Sequence, residues 1–168
     1  MKIALWTYAD SPIGPLGFAT DEDGVVVGCS FEGERALEPV MRRVWPQAEV
    51  SSGTEVPAVV EALDAYFAGA RDALGRVAWR VPGEDFQPRV WRALADIPSG
   101  VTISYGEMAR RAGEPGAAQA AGVALNRNPI PLILACHRVV GHDGGLVGFG
   151  GGVERKRWLL AHEGALLL

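Results

Sequence analysis

Chain breakers set the scale of every element in this sequence. Twenty-two glycines and eleven prolines are spread over 168 residues. Helical patterns start and stop between them: one runs from about Glu34 to Val44 and ends at Trp45-Pro46, another from about Pro57 to Ala68 and ends at Gly69. No stretch approaches the roughly 18 apolar residues that a membrane span needs. Ahead of the helices, "KIALWTY" and "VVVGCSF" are rich in β-branched and aromatic residues, and "DSPIGPLG" and "DEDG" are turn clusters. Residues 2–31 therefore read as strands joined by turns, the second turn carrying an Asp-Gly pair. Residues 70–85 read as a short strand plus a linker, which predicts a domain boundary near residue 85.

Beyond that boundary the pattern is helical. "FQPRVWRALADI" spaces Phe86, Val90, Leu94 and Ile97 for one face and stops at Pro98. "SYGEMARRAG" offers Ser104 as an N-cap with Glu107 three residues on. After the turn "EPG", "AAQAAGVALNR" is a further helix, ending at Asn128-Pro129. Two short helices on a tight turn make a helix-turn-helix pattern, which many helical domains also contain. "IPLILAC" reads as an extended or buried segment, and a glycine-rich loop leads into a last helix, "VERKRWLLAHEG".

Charge divides along the same boundary. Residues 1–85 hold seven basic and fourteen acidic side chains, and residues 86–168 hold nine and six. The second half can thus face a polyanion although the whole chain carries −4. The first residues lack a secretory pattern, so a cytoplasmic protein is expected. With two cysteines, a disulfide framework and a structural zinc site are both unexpected.

The two cysteines differ in company. Cys29 has no ionisable neighbour and reads as a small core residue. Cys136 sits in "LILACHRVVG", followed by His137 and Arg138, either of which can favour a thiolate. Adjacency alone does not settle this. Neighbours in an extended segment point opposite ways, so direct proton transfer would need a bend or a bridging water.

Three stretches taken together, "FQPRVWRALADIPSGVTISYGEMARRAG", "NRNPIPLILACHRVVG" and "LVGFGGGVERKRWLLAHEG", resemble the O6-alkylguanine-DNA alkyltransferases, or methylated-DNA–protein-cysteine methyltransferases. The resemblance implies a ribonuclease H-like α/β domain over 1–85 and a mostly α, winged helix-turn-helix domain over 86–168. It implies DNA repair by direct, single-use transfer of an alkyl group from guanine O6 to Cys136. His137 would take the thiol proton through a water, and Glu163 would orient that histidine. Tyr105 would hydrogen-bond or protonate a guanine ring nitrogen, and Asn128 would tie the recognition helix to the active segment. Ala117, Ala118, Gln119, Gly122, Arg127 and Arg138 would meet DNA in the minor groove. The carbonyl of Val139, with that of Cys136, would accept from the guanine amino group, and Phe149, Gly150 and Gly151 would wall the pocket. The implied partner is duplex DNA containing O6-alkylguanine, with no cofactor, metal or membrane, and the protein acting as a monomer.

Three positions depart from the family pattern. Gln119 stands where an arginine finger is usual, Ala135 where a proline precedes the nucleophile, and Phe149 where a tyrosine is common. Glutamine lacks the charge and planar fork of arginine, and alanine frees the backbone that proline would fix, which leaves open a relative that binds alkylated DNA with weak or no transfer. A plain helix-turn-helix regulator and a cysteine hydrolase are the other readings. The first would not need Cys136, Tyr105 and Glu163 together, and the second requires repeated turnover. "GFGGG" lacks the spacing of a nucleotide-binding loop. "ERKR" at 154–157 reads as a solvated helix face, and His142 and His162 as surface residues.

Overall fold

The computed structural model describes residues 1–146, 149 and 151–166. It divides the chain into two compact units, Met1–Pro82 with Pro129–Ile133, and Gly83–Asn128 with Leu134–Leu168. The short stretch 129–133, which the sequence groups with the second half, belongs to the first unit.

The first unit is built on a four-stranded sheet. Strands β1 (Lys2–Tyr8), β2 (Leu16–Thr20) and β3 (Val26–Ser30) form an antiparallel meander, and β4 (Glu49–Ser52) pairs parallel to β1. The order is β3-β2-β1-β4. Strand β4 carries no β-rich signal, because "EVSS" is a short and mostly exposed edge strand. Its pairing with β1, rather than local preference, makes it a strand. Residues 70–85 form a 3-10 turn at Ala73–Arg76 and a single bridge from Trp79 to Val26, where the sequence reading expects a short strand.

Both faces of the sheet are covered, which explains why all five residues of β2 are buried instead of alternating. On one face Ile3, Leu5, Ala19 and Val27 pack with Leu37 and Met41 of helix α1 (Leu37–Val44). On the other, Trp6 stacks on its cross-strand partner Phe18 at 5.0 Å. Tyr8 donates to Asp64 of helix α2 (Pro57–Phe67) at 2.6 Å. The Asp-Gly turn forms as expected: Gly24 takes φ +76°, and the buried Asp21 carboxylate accepts from the N–H groups of Asp23 and Val25. Arg80 donates to the same carboxylate at 2.9 Å.

The second unit holds helices α3 (Phe86–Leu94), α4 (Tyr105–Arg111), α5 (Ala118–Asn126) and α6 (Val153–His162). The Trp91 indole N–H donates to the Ala124 carbonyl at 2.7 Å, fixing α3 against α5. The Ser104 hydroxyl caps α4 by accepting from the Glu107 N–H. The reciprocal half of the capping box is not made, because the Glu107 carboxylate pairs with Arg110 and Arg111. A two-stranded parallel pair, β5 (Ile103–Ser104) and β6 (Val139–Val140), completes the unit. Among the described residues, no helix is long and apolar enough to cross a membrane.

One glycine in β2 tests this packing. A Cβ on Gly17 would stand 2.4–2.5 Å from the backbone of Gly33 and Glu34, which cannot move aside as a side chain can. Gly17→Ala should lower stability by about 3 kcal/mol, the upper part of the overpacking range. Gly69→Ala, at φ +115° but with open space around it, should cost only about 1 kcal/mol. Urea unfolding midpoints of the two variants check the order.

Candidate active site

The residues Cys136, His137 and Arg138 form one 3-10 turn, not an extended segment. This resolves the difficulty of neighbouring side chains pointing apart, since successive residues of a 3-10 helix are about 120° apart around the axis. The approach to that turn is tightly drawn. Leu132 sits at φ +74°, the left-handed region, although it is not glycine and is buried. The Pro129 carbonyl accepts from the Cys29 N–H at 2.9 Å, and Asn128 Nδ2 donates to the Leu134 carbonyl at 2.8 Å. "IPLILAC" is therefore a folded, buried excursion clamped at its base by Asn128.

The β5–β6 register brings the second half of the site together. Ile103 lies opposite Val139 and Ser104 opposite Val140, so α4 begins beside the strand that follows the 136–138 turn. Tyr105 thereby comes within electrostatic range of Cys136. Its phenol is held protonated above its ordinary value, by burial first and then by the Cys136 charge. Gly122 of α5 lies against the Tyr105 ring, where an added Cβ would still fit at 3.9 Å.

Helix α6 supplies the third part. Lys156, Leu159, Leu160 and Glu163 share one buried face. Glu163 accepts from His137 Nε2 at 2.9 Å and from Arg138 through Nε at 2.9 Å and a terminal nitrogen at 3.1 Å. Burial alone would raise this carboxyl. The His137 hydrogen bond, and after it the Arg138 guanidinium, outweigh burial and hold it well below the usual carboxylate range. His137 is 0 % exposed, and burial lowers its pKa against the opposing pull of Glu163. A neutral imidazole donating from Nε2 to an ionised carboxylate leaves Nδ1 with its lone pair. That Nδ1 is buried and has no hydrogen-bond partner among the described residues.

Two expectations from the sequence are corrected here. Arg138, expected on the DNA side, uses all three guanidinium nitrogens internally, the third donating to the Ile97 carbonyl at 2.6 Å. The thiol of Cys136 is not depressed by its two neighbours. The residue is 8 % exposed, and burial pushes its pKa up to about 11. The groups that pull it back down are Asn128, which hydrogen-bonds the sulfur, the charge of Lys156, and the backbone N–H groups of Cys136 and His137. Burial thus favours the protonated sulfur, and those groups favour the thiolate.

Lys156 is the site residue that sequence reasoning missed. It was read within a solvated "ERKR" face, yet it is 1 % exposed and its Nζ donates to the Val139 carbonyl at 2.7 Å. The available signal was its spacing of three and four from Leu159 and Leu160, which puts it on the apolar face of α6. Of the remaining expected residues, Gln119 and Arg127 are exposed, and Ala117 and Ala118 are half-buried, at the two ends of α5. Val139 is buried; Phe149 and Gly151 are half-buried, with the Phe149 ring 5.8 Å from Lys156 Nζ. Gly150 lies outside the described residues. No cluster of three or more His, Cys, Asp or Glu side chains suited to a metal occurs among the described residues.

Known proteins resemble this chain over most of its length. The family model for the DNA-binding domain of 6-O-methylguanine DNA methyltransferase matches residues 85–165. A methylated-DNA–protein-cysteine methyltransferase of Mycobacterium tuberculosis is 46 % identical over 154 residues, 92 % of this chain and 88 % of that protein. The Salmonella typhimurium protein of the same name is 39 % identical over 161 residues, 94 % of each. The crystal structure of Mycobacterium tuberculosis OGT in complex with DNA superposes with a TM-score of 0.74 at 40 % identity, covering 98 % of this chain and 93 % of that one. With a thiol, a neutral imidazole and a buried carboxylate gathered as described, and with relatives this near over almost the whole length, the chain belongs to the methylated-DNA–protein-cysteine methyltransferase family.

Proposed function

We propose that the protein repairs duplex DNA by moving an alkyl group from O6 of guanine to Cys136, one group per protein molecule. One observation carries this reading. A fully buried, neutral His137 is held through Nε2 by ionised Glu163, with its Nδ1 lone pair unclaimed among the described residues, in the same turn as the thiol. That is the nucleophile, base and orienter order of a thiol-activating site.

The chemistry balances without a cofactor. The Cys136 sulfur attacks the alkyl carbon, and the new C–S bond forms as the C–O6 bond breaks. The thiol proton passes to His137 Nδ1, directly or through water; Glu163 stabilises the imidazolium, and Arg138 holds Glu163 in place. Tyr105, kept protonated, gives its proton to a guanine ring nitrogen, so the base leaves neutral. The Val139 and Cys136 carbonyls accept from the guanine 2-amino group, and Phe149 and Gly151 wall the pocket. Asn128 does two things: it bonds the sulfur and it clamps the chain that presents it. A thioether is not readily hydrolysed, so the protein is consumed.

In this reading the second unit is a winged helix-turn-helix, with α4 and α5 as its helix pair and α5 laid in the minor groove. Its exposed Gln119 and Arg127 and its small residues Ala117, Ala118 and Gly122 support close approach to the backbone. The first unit is a ribonuclease H-like scaffold, and the protein works as a cytoplasmic monomer. The target guanine must leave the stack, which costs a few kcal/mol, less for a weakly paired lesion. Gln119 fills the gap by hydrogen bonding, without the charge that arginine would bring.

Incubation with a duplex containing O6-methylguanine should add the mass of one methylene to the Cys136 peptide and to no other, at a stoichiometry of one. An unmodified Cys136 under these conditions overturns the proposal. Gln119→Arg should speed transfer on duplex about tenfold, the scale of one added charge-assisted contact. The same variant should leave the rate on free O6-benzylguanine unchanged. Glu163→Gln removes a buried charge from two partners and should cost about 3 kcal/mol of stability at neutral pH. Because the folded carboxyl is held below its unfolded value of roughly 4.3, its contribution is full above that pH and fades as pH falls. Thermal unfolding of the wild type should therefore weaken on acidification more steeply than that of the variant.

A further inference from the structure

Helix α5 carries no charged side chain, and Arg127 is the one basic residue between positions 112 and 135. A DNA duplex presents one negative charge for about every 1.7 Å of its axis, and the cations that neutralise it supply much of the affinity. The charge that answers the backbone has to come mainly from residues flanking α5. Arg110 and Arg111 lie in the last turn of α4, just ahead of the turn into α5. One carboxylate, Glu107, serves both. It accepts from Arg110 through Nε at 2.8 Å and through a terminal nitrogen as well, so that guanidinium is engaged at two points. It accepts from Arg111 through Nε alone, at 3.1 Å. The two terminal nitrogens of Arg111 make no hydrogen bond among the described residues, and its side chain is 35 % exposed. Arg89 of α3 is met by Glu114, in the turn itself, at 3.4 Å.

We propose that Arg111 binds a phosphate of the DNA backbone through its two terminal nitrogens, and that Glu107 positions it by holding its Nε. This rests on the alkyl-transfer reading, in which α5 enters the groove, and adds a backbone contact outside that helix. A guanidinium binds a phosphate best when two parallel N–H groups meet two oxygens. Arg111 offers such an edge already oriented, because its Nε bond restrains a side chain that otherwise loses rotamer freedom on binding. Arg110 has committed Nε and a terminal nitrogen to the carboxylate, and would have to break a two-point ion pair to do the same. Two guanidinium groups on one carboxylate leave one net positive charge, so the group still attracts an anion. The placement suits the task. In helix-turn-helix proteins the first helix crosses the backbone while the start of the second enters the groove. Here the end of α4 leads through a short turn to the start of α5, where Gln119 stands.

The test uses two variants that remove the same charge from the same end of α4. Affinity for an undamaged duplex, on which no transfer intervenes, is read by fluorescence anisotropy across a series of potassium chloride concentrations. Arg111→Gln should weaken binding about tenfold at low salt and flatten the slope of log affinity against log salt by about 0.9, the mark of one phosphate contact. Arg110→Gln should weaken it by at most about twofold, the effect of a screened charge that makes no contact, and leave the slope nearly unchanged. Equal losses in the two variants overturn the proposal, as does an Arg111→Gln protein that binds like the wild type. In a Glu107→Ala background the loss from Arg111→Gln should shrink to about threefold, because an unanchored side chain has more freedom to lose. An undiminished loss there overturns the positioning role of Glu107. Wild-type protein that binds no duplex at any salt concentration sinks the transferase reading itself and this contact with it, and the same titration reveals that case.

Discussion

The buried carboxylate of Glu163 organises the second unit. It has no exposure to water, so its charge must be met from within. His137 and Arg138 meet it, and because they are consecutive they are drawn together into the 3-10 turn that also contains the thiol. Arg138 reaches on to the Ile97 carbonyl, tying the chain just beyond α3 to the same point. One ionised group thus fixes the imidazole tautomer, the guanidinium and the path of the chain at residue 136. Burying this charge alone would be costly, and its two partners offset that cost.

The site balances two opposed demands on sulfur. A shielded thiol is chemically quiet, and burial raises the pKa of Cys136 far above that of a free cysteine. Transfer needs the opposite. The protein reconciles the two by separating the groups: the base is a neutral histidine, while Asn128, Lys156 and the local N–H groups favour the negative sulfur from other directions.

Much of this was legible in the sequence, and the reasons differ by element. The strands of the meander announced themselves by β-branched and aromatic residues between turn clusters, and the Ser104 cap by its hydroxyl. The gathering of Cys136, His137, Tyr105, Asn128 and Glu163 came from their resemblance to a family, since no local periodicity relates residues 105 and 163. Strand β4 was hidden because its conformation comes from pairing with β1. The fold of 129–135 was hidden because an aliphatic run looks alike whether it is a strand or a buried turn, and a leucine at positive φ has no sequence signal. Lys156 and Arg138 were assigned to solvent and to DNA because charge is read as exposure. Only the structure shows that each is spent on an internal acceptor.

The excursion at Pro129–Ile133 has a consequence for how such a protein can be dissected. It lies between Asn128 and Leu134 in the chain, yet it is counted among the residues of the first unit. A fragment ending at Pro82 would therefore lack five residues of that unit, four of them buried, whereas a fragment beginning at Gly83 would carry an apolar loop with nothing of that unit to bury it. Shuffling the two halves between relatives carries this loop along with the nucleophile, so the donor of the thiol also dictates part of the recipient's core.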